Sequence, residues 1–283
     1  LPNDATYGGN TDNKYTQQYG KQQGKYYVPQ RASAGLDPWA TPQAYDNAKD
    51  FFDTGITWSN SLNVAQMLEK SSYSISLGNT HQDGIISSTG MDRYNVKVSA
   101  DTKLTSNWSS GFTANYITTS IDKAVTSGNG LLRTVYAAPP SYDLAGIPSH
   151  VDGNPYTQNS FRGSFDNAYW AMENNKFTED TNRFFGNVYT SYQTDFGTTN
   201  HKLNAKYMVG VDAYTTHYVD SYGYGSNTGG GRGQIENYGW TNATYNSLLT
   251  INYDWHINED WGLNAVVGNE IIQSNRKKYY EYG

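Results

Sequence analysis

From Phe51 onward the large apolar residues recur at every second position, and few folds satisfy a chain built that way. Ile56-Thr57-Trp58-Ser59-Asn60-Ser61-Leu62-Asn63-Val64 keeps them on one parity, with Asn60 the exception. In Tyr73-Ser74-Ile75-Ser76-Leu77 the other parity is all serine, and Tyr94–Ala100 behaves alike. Leu203-Asn204-Ala205-Lys206-Tyr207-Met208-Val209-Gly210-Val211-Asp212-Ala213 sustains the pattern longest, and Tyr245–Trp255 and Trp261–Ala265 continue it. Such alternation marks strands with one apolar and one polar face. About eight strands follow, near 53–67, 72–83, 92–104, 108–121, 182–194, 201–219, 242–257 and 261–280. Several exceed the ~5–6 residues usual in soluble sheets and reach the ~9–11 that a tilted membrane-crossing strand needs.

The joints alternate as well. Short polar turns at Leu68–Ser71, Thr105–Asn107, Asp195–Asn200 and Asn258–Asp260 are separated by longer connections at Gly84–Met91, Ile121–Thr181 and Asp220–Thr241. In an antiparallel meander every short turn then lies at one rim and every long loop at the other, the asymmetry of outer-membrane barrels. Aromatics gather near strand ends at Trp58, Tyr73, Tyr94, Trp108, Tyr116, Tyr253, Trp255 and Trp261, as in interfacial girdles. Tyr and Trp favour any strand, so a soluble sandwich stays open on pattern alone. On the barrel reading Leu203, Ala205, Tyr207, Val209, Val211 and Ala213 face lipid, with Lys206 and Asp212 on the opposite parity.

Composition narrows the alternatives. Hydrophobic residues are 36% of the 283-residue chain, and no run approaches the ~18 apolar residues of a membrane helix. Aromatics at 15%, with 26 Tyr, argue against disorder. A net charge of −6 leaves no global basic footprint for nucleic acid. With no Cys, disulfides and thiolate chemistry are excluded. Residues 1–50 are polar, rich in Gly and Pro and without a period, which reads as a long loop with a short helix near Thr41–Lys49. Leu1-Pro2-Asn3-Asp4 shows no secretion signal, leaving a cytoplasmic protein or a piece of a longer product.

Several motifs resemble the barrel region of SusC/RagA-type TonB-dependent transporters. They are Phe51-Phe52-Asp53-Thr54-Gly55, Tyr73–Gly78, Gln82-Asp83-Gly84-Ile85-Ile86 and Asp92-Arg93-Tyr94-Asn95-Val96. Leu131–Pro140, Asn167-Ala168-Tyr169-Trp170 with Asn174-Asn175, and Asn182–Val188 continue the resemblance in order, although family members often carry Pro where Ala168 stands. The likeness runs from about residue 36 to about 270. It implies an all-β, antiparallel up-and-down transmembrane β-barrel segment, residues 51–283, supplying about eight strands of a roughly 22-stranded barrel. It further implies active import of an oligosaccharide or peptide across the outer membrane of a Bacteroidetes-like bacterium. A SusD-like surface lipoprotein would form the lid, and TonB would act through an N-terminal plug that is not recognisable in this chain. The alternatives are a passive outer-membrane porin or adhesin and, further off, a secreted glycan-binding β-sandwich.

No residue pattern points to catalysis or a cofactor. The five histidines form no i, i+4 pair and no HExxH. Gly229-Gly230-Gly231-Arg232-Gly233 lacks the Lys-Ser/Thr of a phosphate loop and reads as a loop tip. Glu179-Asp180 and Glu259-Asp260 sit at connections, where two carboxylates seldom face one another across a substrate. Asp152-Gly153-Asn154 has the oxygen ligands of a Ca²⁺ loop, though a plain turn explains it as well. The long loop carries Tyr142, Tyr156, Phe161, Phe165, Tyr169 and Trp170, which suit either substrate or partner contact or packing of the loop on itself.

Overall fold

The computed structural model describes residues 4–125 and 130–283; Leu1–Asn3, read above for a secretion signal, and residues 126–129 of the long loop lie outside them. Eight strands form one antiparallel sheet: β1 (Thr57–Met67), β2 (Ser71–Asp83), β3 (Gly90–Lys103), β4 (Trp108–Lys123), β5 (Lys176–Thr194), β6 (His201–Tyr222), β7 (Gln234–His256) and β8 (Gly262–Tyr282). Neighbours in the sheet follow chain order throughout, so the sheet is an up-and-down meander. The sheet is open, with its outer edges on β1 and β8, an arrangement consistent with a segment of barrel wall. No helix among the described residues is long and apolar enough to cross a membrane.

The turns at 68–70, 104–107, 195–200 and 257–261 share one rim, and 84–89, 124–175 and 223–233 share the other. Local chemistry closes the short turns. Asp195 Oδ1 accepts the Gly197 N–H at 2.9 Å, and Phe196 and Gly197 both take positive φ. Asn258 Oδ1 accepts the N–H groups of Asp260 and Trp261.

Strands lengthen along the chain, from 11 residues in β1 to 23 in β7. The expected strands near 182–194 and 242–257 begin earlier, at Lys176 and Gln234. The long connections shrink accordingly to 124–175 and 223–233. Polar residues occupy both parities of Lys176–Thr181 and Gln234–Thr241, so alternation fades there while cross-strand pairing persists.

The buried core lies at the long-loop rim and not between sheets. Residues 4–56 hold short helices, including Lys14–Tyr19, Pro29–Ser33 and Asn47–Phe51, and a pair of two-residue strands, Tyr26–Tyr27 and Trp39–Ala40. They pack against the helices Leu131–Ala137 and Ala168–Asn174 of the long loop. Tyr26, Val28 and Phe51 thereby share one core with Leu131, Val135, Leu144, Ile147 and Trp170. Asn47 fastens the two parts together: its Nδ2 donates to the Tyr142 carbonyl at 2.9 Å, and its Oδ1 accepts the Leu144 N–H at 3.1 Å.

Candidate functional site: an amphipathic wall under an aromatic rim cleft

Cross-strand partners point to the same side of a sheet, so the register assigns every wall residue to a face. One rung runs Val64, Ile75, Val98, Ala114, Gly186, Val211 and Tyr245. The rung beyond it runs Tyr73, Ala100, Phe112, Val188, Val209 and Ser247, ending at Ile271. Leu203, Ala205, Tyr207, Val209, Val211 and Ala213 therefore share their face with the apolar residues of all seven other strands. Trp108 and Tyr192, 4.9 Å apart, lie toward its short-turn margin. Toward the long-loop rim the same face turns polar along a single rung of His81, Asp92, Ser120, Asp180 and His217. His81 Nδ1 meets Asp92 Oδ1 at 2.8 Å, and Ser120 Oγ donates to Asp180 Oδ1 at 2.6 Å.

The opposite face is a hydrogen-bonded polar surface. Asn63 Nδ2 donates to Ser76 Oγ at 2.6 Å, and Ser74 and Ser99 pair at 2.8 Å. Arg183 makes a bidentate pair with Asp212, at 2.8 and 2.6 Å. Tyr189 donates to Asp101 at 2.6 Å beneath the Lys206 ammonium. Closer to the long-loop rim this face carries Tyr218 stacked on Tyr238 at 5.0 Å, with Trp240 and Tyr280 beside them.

The rim core separates the six loop aromatics. Trp170 is 0% exposed, and its Nε1 donates to the Pro155 carbonyl. Asn167 caps its helix, accepting the Tyr169 and Trp170 N–H groups. Phe165 is buried with the Arg133 guanidinium 4.1 Å from its ring. Tyr169 packs edge-on against Phe51 at 5.4 Å, and Tyr156 stays exposed beside Tyr224. Trp170 and Phe165 thus hold the loop together and present almost no surface to a ligand. Asp152 and Gly153, both at positive φ, form the two-residue turn between His150–Val151 and Asn154–Gln158, which is what an Asp-Gly pair does in a hairpin.

Tyr142 and Phe161 alone of the six line one cleft, of about 430 Å³, together with Tyr7, Tyr26, Tyr27, Arg31, Tyr45 and Asp143. The N-terminal residues of this cleft were not singled out in sequence, because residues 1–50 show no period; the consecutive Tyr26-Tyr27-Val28 was the available signal. Burial raises the Tyr26 phenol above its ordinary range, with Tyr45 and Asp143 adding to the rise and Arg31 opposing it. Its hydroxyl donates to the Ser141 carbonyl at 2.7 Å. Burial, helped by Asp143, also raises the Tyr142 phenol. Its hydroxyl is the one buried side-chain polar atom among the described residues without a hydrogen-bond partner.

No protein-family model and no curated relative matches the sequence. Solved structures do. The RagAB peptide importer in its "closed-closed" state matches at TM-score 0.68 and 17% identity, over 85% of this chain and 27% of that one. The same importer in its "open-open" state matches at TM-score 0.68 and 16% identity, over 86% and 27%. A further structure of the RagAB peptide transporter matches at TM-score 0.66 and 16% identity, over 85% and 27%. This chain therefore spans about a quarter of the length of the chains it resembles, and the likeness is one of fold.

Proposed function

We propose that the chain supplies adjacent strands to the wall of a SusC/RagA-type, TonB-dependent importer in a bacterial outer membrane. The observation that carries this reading is the apolar face, continuous across eight strands and backed by a hydrogen-bonded polar face. A soluble antiparallel sheet covers its apolar face with a second layer, whereas here Leu62, Val64, Ile75, Phe112 and Val188 on that face are exposed; a barrel sets such a face against lipid and the other against the lumen. Leu203, Ala205, Tyr207, Val209, Val211 and Ala213 then contact acyl chains. The Arg183–Asp212 pair and the Tyr218–Tyr238 stack line the path of the solute. The fold shared with a peptide importer, together with the motifs from Phe51 to Val188, supports uptake of peptide or oligosaccharide as the activity. A SusD-like lipoprotein seats over the long-loop rim, and TonB supplies energy through a plug domain. On this reading the segment performs no catalysis and holds no cofactor; selective passage is its work.

Labelling tests it directly. Single cysteines at 205, 207, 209 and 211 should react with a lipid-soluble probe in isolated membranes and resist a water-soluble one. Positions 206, 208 and 210 should do the reverse. Water-soluble labelling confined to the odd positions would defeat the membrane reading.

A further inference from the structure

The short turns are built with apolar roots and polar tips. Leu68 and Leu104 open the first two, Ile257 and Trp261 bracket the last, and all four are 45–70% exposed. Hydrogen bonds carry the strand register into them. The Leu68 N–H donates to the Ser71 carbonyl at 2.7 Å, Leu104 to Trp108 at 2.8 Å and Ile257 to Trp261 at 2.9 Å. The Trp261 N–H is satisfied in turn by Asn258 Oδ1 at 2.9 Å. This pairing fixes their faces. Leu68 joins the rung of Ser71, Thr102, Ser110, Thr190 and Tyr207, and Leu104 joins Trp108, Tyr192 and Ala205. Ile257 and Trp261 lie two residues beyond the Trp255–Leu263 pair, on the same apolar face. Polar residues are confined to the tips, Glu69-Lys70, Thr105-Ser106-Asn107 and Asn258-Glu259-Asp260.

We propose that the roots of these turns are immersed in the phospholipid of the periplasmic leaflet, with only the tips in water. The proposal rests on the importer-wall reading and adds where that wall ends. Length supports it first. On β3 the apolar face past the charged Asp92 holds Tyr94, Val96, Val98 and Ala100, a run of seven residues. A tilted crossing takes ~9–11 residues. The run reaches that length, 11 residues from Tyr94 to Leu104, only when the turn's own leucine is counted. On β2 the run Tyr73–Leu77 is shorter still, and Leu68 extends it in the same way. Polar satisfaction supports it second. The rung that Leu68 joins carries a hydroxyl at every position, and free hydroxyls would be costly in hydrocarbon. Each is engaged within the protein: Ser71 with Thr102 at 2.9 Å, Ser110 with the Tyr189 carbonyl at 2.7 Å, Thr190 with the Ser109 carbonyl at 3.5 Å and Tyr207 with Ser247 at 3.0 Å. Trp108 and Tyr192 on the Leu104 rung supply the amphipathic rings that favour the headgroup level.

Nitroxide labels on single cysteines replacing Leu68, Leu104 and Ile257 test this in the complete transporter, held in vesicles of phosphatidylethanolamine and phosphatidylglycerol. Heat-modifiable migration on a gel establishes that each variant is folded. Oxygen, which concentrates in hydrocarbon, should relax all three labels, and a water-soluble nickel chelate should not. Labels at Glu69 and Glu259 should show the reverse. Nickel access at 68, 104 and 257, with labels at Ala205 and Val209 still in lipid, would overturn the proposal and leave the importer wall standing. Nickel access at 205 and 209 would sink both. Turn labels shielded from both reagents would mean that a protein covers them, which also defeats the proposal. The unsubstituted transporter gives a second measurement. Hydroxyl radicals generated in the water phase should oxidise Trp261 more slowly than the exposed Tyr156 of the opposite rim, although indole is the more reactive ring. Oxidation of Trp261 at an equal or higher rate would place it in water, against the proposal.

Discussion

At the scale of single residues the wall makes an unusually sharp distinction between neighbours. Val209 lies on the apolar face between Val188 and Ser247, whereas Met208 lies on the polar face between Tyr189 and Leu248. An apolar band ~25 Å tall takes about ten tilted residues, which sets Val209 close to mid-depth in the run Leu203–Ala213. Val209→Arg should then cost about 2–4 kcal/mol and Met208→Arg far less, measured as folding free energy in lipid vesicles. Equal costs would remove the facial assignment. Asp166 is the residue on which the rim loops converge. Its carboxylate accepts from Ser226 Oγ at 2.6 Å, from the Asn227 N–H at 2.7 Å, from Asn227 Nδ2 at 2.8 Å and from Gln158 Nε2 at 2.7 Å. Since a hydrogen bond to a charged group contributes about 1.5–3 kcal/mol, Asp166→Ala should release the 223–233 loop. Trypsin should then cut after Arg232 faster than in the parent protein, while an unaltered rate would mean that the loop is held elsewhere.

Elements differ in how legibly the sequence announces them, and the difference has a physical origin. On the barrel reading a strand within the apolar band alternates because its two sides meet different solvents, and Leu203–Ala213 is legible for that reason. Past the band that reading sets both sides against water. Lys176–Thr181 and Gln234–Thr241 therefore lose the period, and their membership in β5 and β7 depends on partners distant in sequence. The rim core was harder still. Aromatic density flagged Tyr142 through Trp170, but nothing local separates a buried Trp170 from an exposed Tyr156. The contacts that decide the matter, such as Asn47 to Tyr142 and Tyr45 N–H to the Pro140 carbonyl, join the first fifty residues to the long loop. The alternation of short and long joints was legible and makes a prediction of its own. Protease added to intact cells should nick the glycine-rich tip at 229–233, because exposed loop tips are preferred sites. The turns at 195–200 and 257–261 should be cut only after the cells are opened. Cleavage of those turns from outside would invert the topology.

On the scale of the whole molecule the two free edges determine what this sheet can be by itself. β1, at one edge, has 11 residues, and β8, at the other, has 21. If they paired with each other, about half of β8 would keep its outer N–H and C=O groups unsatisfied. If they did not, both strands would carry an unpaired edge through hydrocarbon, where each unsatisfied backbone group costs several kcal/mol. Roughly half the backbone groups of an edge strand point outward, so a crossing of about ten residues exposes on the order of five N–H and five C=O groups per edge. Even at ~2 kcal/mol for each group, that sum exceeds the ~5–15 kcal/mol net stability of an ordinary domain. Further strands must therefore cover both edges in a membrane, tapering from long beside β8 to short beside β1. Residues 1–283 produced alone and refolded into detergent should give no monomeric, heat-modifiable band on a gel and should instead associate through their edges. The same residues within a barrel that supplies the complementary strands should be heat-modifiable. A monodisperse, heat-modifiable monomer of 1–283 alone would show that β1 and β8 close on one another, and the larger-barrel reading would be wrong.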